Sequence, residues 1–283
     1  MSTVAHSPAT WLVPGTGETV PHNRLMAQMA GKSAVLLGES HDRYDIHRWQ
    51  LHVLAGLYAH RTDVVVGFEM FPRRVQPALD KWVAGALSDV AFLDEAEWRT
   101  VWGFPADLYM PIFHFCRQYG VAMKALNCRR ALVTEVGKLG WDEIPVGDRD
   151  GVTPAKPATA AYRQYLFDIT GGSRPDRQAT SPDDLAFDRF VRAQQTWDRA
   201  FACNIAEAIG EHGPALVVGI IGRGHLEYGH GTPYQLADLG IQDVAVLLPN
   251  DTETVRLEPE AVADGLFRLP PIGRSVAQRA PSP

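Results

Sequence analysis

The residues with the clearest chemistry are two histidines that each follow a glycine by three positions, His41 in Gly38-Glu39-Ser40-His41 and His225 in Gly222-Arg223-Gly224-His225. An imidazole can hold a metal ion or move a proton near neutral pH. Glu39 lies inside the first motif, and Glu69 closes the apolar run 64–68, where a carboxylate without a partner would be costly. Two imidazoles with one or two carboxylates are a sensible donor set for a divalent transition metal. That set is His41, His225, Glu39 and Glu69, and it does not distinguish iron, manganese, zinc or cobalt. Glu39 or Glu69 would also serve as a general base on bound water, which makes metal-dependent hydrolysis the enzymatic reading. Plainer roles compete with these. A lone GxxH arises often by chance, and Glu69 could simply pair with Arg73 or Arg74.

The elements that must position these residues are legible from periodicity. Four short apolar runs, 33–38, 63–68, 121–126 and 215–221, read as buried strands. The first ends at Glu39 and His41, the second at Glu69, the third at Asn127 with Arg129, and the fourth at Arg223 and His225. Between the first two runs, Ile46, Trp49, Leu51, Val53, Leu54, Leu57 and Tyr58 recur at helical spacing, which makes a βαβ unit and parallel pairing. The fold class is therefore α/β, a mainly parallel sheet flanked by helices with a smaller helical lobe inserted. In such a sheet the strand ends share one edge, so the four sets converge there.

The remaining chain fills in around that frame. Residues 1–22 read as an irregular lead-in, 22–30 as a short helix, 75–102 as helical without strands, and 107–119 as a helix closed by Gly120. The stretch 139–182 is rich in Gly and Pro, with one helical island at 158–169, and a long helix covers 183–210. A short helix at 234–239, a fifth strand at 243–248 and an edge strand within 249–269 complete a single domain of residues 1–270. The helical lobe falls within about 72–118 and 155–205, and 271–283 reads as a disordered tail.

Composition bounds the partners. The chain of 283 residues carries a net charge of −6 and has no long basic run, which argues against nucleic acid. No apolar stretch approaches a membrane span. Cys116, Cys128 and Cys203 are odd in number and lack CxxC spacing, so a reducing compartment fits, and with no leader-like segment near Met1 the expectation is a cytoplasmic protein. Secondary candidates for ligand contact are His47, one helical turn from Gln50, and the aromatics Trp98, Trp102, Phe104 and Tyr109, which could wall a flat apolar ligand such as a porphyrin. Tyr109, Tyr228, Tyr234, His114 and His230 are of the right type to ligate haem iron, and the sequence does not choose among them.

The ordered set Leu36-Leu37-Gly38-Glu39-Ser40-His41-Asp42, Gly67-Phe68-Glu69-Met70-Phe71, Ala125-Leu126-Asn127 with Arg129, Trp197-Asp198 and Gly222-Arg223-Gly224-His225 resembles the ChaN-like family of haem-binding uptake proteins. That family is grouped with the Tiki and TraB proteins and the erythromycin esterases, where paired GxxH motifs and a glutamate accompany metal-dependent hydrolysis. The resemblance implies a small-molecule ligand, haem or a divalent metal. On the residues themselves, Asn127, Arg129, Arg223, Tyr109 and His47 are the further candidates for ligand contact, and the haem reading expects the porphyrin at the interface of a possible homodimer. The resemblance also implies a lipoprotein, from which this sequence departs in having no lipidation cysteine near Met1.

Overall fold

Aliphatic runs bounded by glycine or a polar residue become strands, and their alternate side chains enter two separate cores. The computed structural model describes residues 2–171, 173–174, 177–211, 213 and 215–270. Its first half runs β1 (Thr3–Ala5), β2 (Trp11–Val13), β3 (Glu18–Val20), α1 (His22–Met29), β4 (Ala34–Glu39), α2 (Tyr44–His60), β5 (Val64–Pro72), α3 (Gln76–Val83), α4 (Asp89–Glu95), α5 (Trp98–Val101), α6 (Met110–Tyr119) and β6 (Ala122–Asn127). The second half runs α7 (Arg130–Leu139), α8 (Ala160–Thr170), β7 (Ser173–Arg174), β8 (Arg177–Gln178), α9 (Leu185–Glu211), β9 (Leu216–Gly222), α10 (Thr232–Asp238), β10 (Val244–Asn250), β11 (Thr254–Arg256) and β12 (Gly265–Arg268).

One sheet has the order β3-β2-β12-β10-β4-β9-β5-β6. From β12 to β6 every pairing is parallel, while β2 and β3 add an antiparallel margin. The two GxxH strands are immediate neighbours, with Gly38 opposite Ile221 and Glu39 opposite Gly222. β5 flanks β9 on its other side, so Glu69 emerges next to the second motif.

Both faces of the sheet are covered, as parallel pairing requires. Val35 and Leu37 of β4 face a core built with α1, α2, α3 and α6, whereas Ala34 and Leu36 face one that includes Phe201 and Ile205 of α9 and Leu236 of α10. The first core is dense in aromatics: Phe71, Trp82, Phe92, Trp98 and Phe113 interlock, Trp82 stacking on Phe92 at 4.6 Å. The second inserted stretch serves two ends. α8 packs with the start of α9 through Tyr162, Leu166, Phe187 and Phe190, and the rest of α9 lies on the sheet.

The irregular lead-in expected for 1–22 is instead three short strands. Trp11 and Leu12 are buried against Phe267 and Leu266, partners some 250 residues away, which no local pattern reveals. For the same reason β12 is interior to the sheet where an edge strand is expected. The tail expected at 271–283 lies outside the described residues.

Candidate functional site

The in-register pairing of β4 with β9 sets the two motifs side by side, and the loops leaving them carry both imidazoles into one cleft of about 610 Å³. His41, Glu69 and His225 line it together with Asn127, Arg129 and aromatic side chains. Gly222 sits in close quarters here: a Cβ there would lie 3.1 Å from His41 Cε1 and 3.4 Å from both Glu69 carboxylate oxygens, so those side chains would have to give. Its backbone N–H donates to Glu69 Oε2 at 2.6 Å.

Each histidine is held the same way. His41 Nδ1 donates to Glu39 Oε1 at 2.7 Å, and Tyr109 O–H donates to that oxygen at 2.9 Å. His225 Nδ1 donates to Asp198 Oδ1 at 2.8 Å, while Tyr162 O–H donates to Oδ2 at 2.6 Å. A carboxylate only accepts, so both rings are fixed with the proton on Nδ1 and the Nε2 lone pair directed elsewhere. Among the described residues neither Nε2 has a hydrogen-bond partner. The carboxylates are deeply buried, Glu39 at 1% and Asp198 at 0% exposure, whereas the imidazoles keep 34% (His41) and 17% (His225) of their side-chain surface open.

The electrostatics follow from this packing. For His41, burial favours the neutral ring, but the hydrogen bond to Glu39 and the charges of Glu69, Glu39 and Asp42 outweigh it and raise the pKa. His225 is raised likewise, burial being overcome by Asp198 and Glu69. Burial pushes the Glu69 carboxyl up; His41 opposes that and Glu39 adds to it. Burial also drives both phenols up, Tyr109 and Tyr162, with Glu39 and Asp198 reinforcing it, so each remains a neutral donor.

The sequence-derived candidates separate into those lining the cleft and those behind it. Glu39 stands behind His41, with Oε1 taken by His41 and Tyr109 and Oε2 within 3.4 Å of Gln50 Nε2. His47 is buried beside Tyr109, its Nδ1 on Gln50 Oε1 at 3.0 Å and its Nε2 on the His41 carbonyl at 3.2 Å. Tyr109 is fully buried and neutral, so the phenolate-ligand expectation for it does not fit the packing. Arg223 turns back onto Glu227, four residues along the chain, and stays outside the cleft lining. Asn127 lines the cleft, but its amide bridges backbone, Nδ2 to the Glu69 carbonyl and Oδ1 from Cys128 N–H. Arg73 and Arg74, the alternative partners of Glu69, pair with Glu207 and Glu97 instead. His114 pairs with Asp89, Tyr228 and His230 stack together beside Tyr165, and Lys156 covers Tyr234; none of these lines the cleft.

Tyr162 has no place in the sequence reading, and Asp198 enters it only within the Trp197-Asp198 motif of the resemblance, without a site role, although its position carries a readable signal. It falls on the buried stripe of α9 with Phe187, Val191, Phe201, Ile205 and Ala208, where a carboxylate needs a reason. The aromatic walls were partly anticipated. Trp102 meets the His41 ring edge-on at 4.7 Å and Phe104 at 5.3 Å, while Phe201 and Trp197 pack edge-on against His225 at 5.3 and 6.4 Å.

A family model described as haem-binding uptake, Tiki superfamily, ChaN matches residues 25–236. Among solved structures, that of cofacial haem binding to ChaN of Campylobacter jejuni superposes with a TM-score of 0.69 at 18% identity, covering 91% of this chain and 95% of that one. The type III effector HopBA1 follows with a TM-score of 0.50 at 12% identity, covering 94% and 96% respectively. At these identities the likeness is one of fold. No curated protein sequence matches the chain.

Proposed function

The chain belongs to the ChaN haem-binding uptake family of the Tiki superfamily, and from that premise we propose that its cleft binds haem, with His41 and His225 offering the nitrogen donors. The observation that supports this most is the pair of imidazoles whose Nδ1 atoms are tied to buried carboxylates, leaving both Nε2 atoms free in an aromatic-walled cleft. Haem would supply a ligatable iron on a flat apolar body, and the residues present suit both parts. The Trp102, Phe104, Trp197 and Phe201 side chains would offer apolar surface to the porphyrin, and the Glu39 and Asp198 partners keep the imidazoles oriented and basic.

Titrating haemin into the purified protein is expected to give a shifted Soret band, and His225→Ala to weaken binding at least tenfold. A spectrum identical to free haemin at stoichiometric protein rejects the reading. Ligation needs a deprotonated Nε2, and both rings are held above their ordinary value near 6.5. Affinity is therefore expected to rise with pH above 6.5 and fall below it, measured as Soret titrations across that range. A flat profile counts against imidazole ligation.

One arrangement favours a second reading, a metal-dependent hydrolase. Donor atoms of Glu39, His41 and Glu69 all lie within 4.8 Å of one another, so a divalent ion could replace the proton shared by His41 and Glu39. That reading requires metal in the purified protein, and metal-free protein with undiminished ester hydrolysis rules it out. Three unpaired cysteines support a reducing, cytoplasmic setting, and among the described residues no helix is long and apolar enough to cross a membrane. A homodimer closing over the cleft is part of the haem reading, and a shift in elution volume on haem loading tests it.

A further inference from the structure

Two stripes of α9 side chains line two different cavities. Gln194, Trp197 and Phe201 border the imidazole cleft, whereas Arg192, Gln195, Thr196 and Arg199, which recur at helical spacing, border a cavity of about 190 Å³ that shares no lining residue with it. Much of the second lining is apolar, from Val136, Val152, Pro154 and Pro157. The segment that supplies the two prolines is tied to α9 by Gln195 Nε2, which donates to the Lys156 carbonyl at 2.8 Å. Arg199 is only 6% exposed, and a charge so buried needs its donors met. Its Nε donates to Thr153 Oγ1 at 2.8 Å, and its Nη1 to Asp238 Oδ2 at 2.7 Å and Gln235 Oε1 at 3.2 Å. Nη2 has no partner among the described residues, yet it is not one of the polar atoms sealed in the interior. Arg192 donates through Nε and Nη2 to the Gly137 carbonyl, which leaves Nη1 over, and its charge meets no carboxylate among the described residues.

We infer that this cavity is a second binding site, separate from the imidazole cleft, for a small apolar monocarboxylate held by Arg192 and Arg199. Two guanidinium groups line it and one of them, Arg199, already has a carboxylate partner in Asp238, so the lining carries a net positive charge that one anion balances. Each guanidinium keeps a nitrogen for such a group without giving up a bond it already makes. Charge-assisted N–H donors bind a carboxylate strongly where water is scarce. The volume sets the size of the ligand. About 190 Å³ is the liquid share of about six waters at about 30 Å³ each, enough for a single substituted ring and too little for a porphyrin. Valine and proline walls favour an apolar body over a bare inorganic anion. None of this depends on what the imidazole cleft binds.

The test follows 4-fluorobenzoate and its neutral analogue 4-fluorobenzyl alcohol by fluorine NMR relaxation at neutral pH, in the presence of the full chain. The acid is expected to bind about tenfold more tightly than the alcohol, a preference that shrinks as salt is raised. Arg192→Gln should cut that preference several-fold and leave the alcohol unchanged, and Arg192→Lys should restore part of it. Arg130→Ala, an exposed residue of the other cleft, should leave both probes as they are. The reverse pattern, loss in Arg130→Ala and none in Arg192→Gln, overturns the location. Equal binding of acid and alcohol overturns the anion site, and displacement of the acid by an equal concentration of inorganic phosphate overturns the apolar carboxylate as its ligand. Failure of both probes to bind at millimolar concentration overturns the second site and leaves haem binding, read by the Soret band, standing.

Discussion

Asp198→Ala is expected to lower the free energy of unfolding by about 3–5 kcal/mol, the range seen when one partner of a buried polar pair is removed. Asp198 is wholly buried and accepts from three donors, His225 Nδ1 at 2.8 Å, Tyr162 O–H at 2.6 Å and Thr232 O–H at 3.3 Å. Alanine leaves all three facing a void, and an unsatisfied buried donor costs about 1–3 kcal/mol. The same change frees the His225 ring to take either tautomer, so ligand affinity should fall with stability. Asp198→Asn keeps the volume and one acceptor and is expected to lose much less stability. It removes the negative charge that raises His225, and the pH at which binding is half-maximal should move down. Urea unfolding with an unchanged m-value measures the first effect; a midpoint for Asp198→Ala within error of the parent would sink the account.

Gly231→Ala should be nearly as damaging, at about 3 kcal/mol, near the upper end for forcing extra volume into a packed site. A Cβ there would lie 2.4 Å from the His225 carbonyl oxygen and 2.6 Å from Asp198 Oδ1. Backbone cannot yield as a flexible side chain can, so either His225 or Asp198 must move. Gly224→Ala is the matched control. Although Gly224 lies inside the GxxH motif, the nearest atom to its added Cβ is Ile169 Cδ1 at 3.7 Å, and the change is expected to stay within about 0.5 kcal/mol. Parallel thermal melts decide it, and equal losses for the two variants would show that the crowding around Gly231 relaxes.

Much of this architecture is readable before any coordinates. The strand ends that carry Glu39, Glu69, Asn127 and His225 share an edge because parallel pairing leaves no alternative. Periodicity also finds α2 and α9, whose apolar stripes are long and regular. What periodicity does not carry is which layer a side chain belongs to. Glu39 and His41 lie two residues apart, yet one sits behind the site and the other in it, because Glu39 is the last residue of β4 and His41 is already in the loop. Tyr109 and Tyr162 are as invisible as hydrogen-bond donors to carboxylates as Trp11 is as a sheet residue, since each partner is distant in sequence. Asp198 is the exception that sequence could have yielded, a lone charge on an apolar helical stripe.

The place of β4 in the sheet bears on how the protein comes into being. Its neighbours are β9 and β10, so Ala34 waits for Val217 on one side and Val244 on the other. During synthesis that strand leaves the ribosome early and has no sheet partner until more than three quarters of the chain has been made. Closing so long a loop is entropically slow, and the contact order of the central pair is correspondingly high. The His41 and His225 loops therefore come together in one late step, which leaves no half-built cleft in a shortened nascent chain. An apolar strand unpaired for that long is the segment on which a chaperone would act.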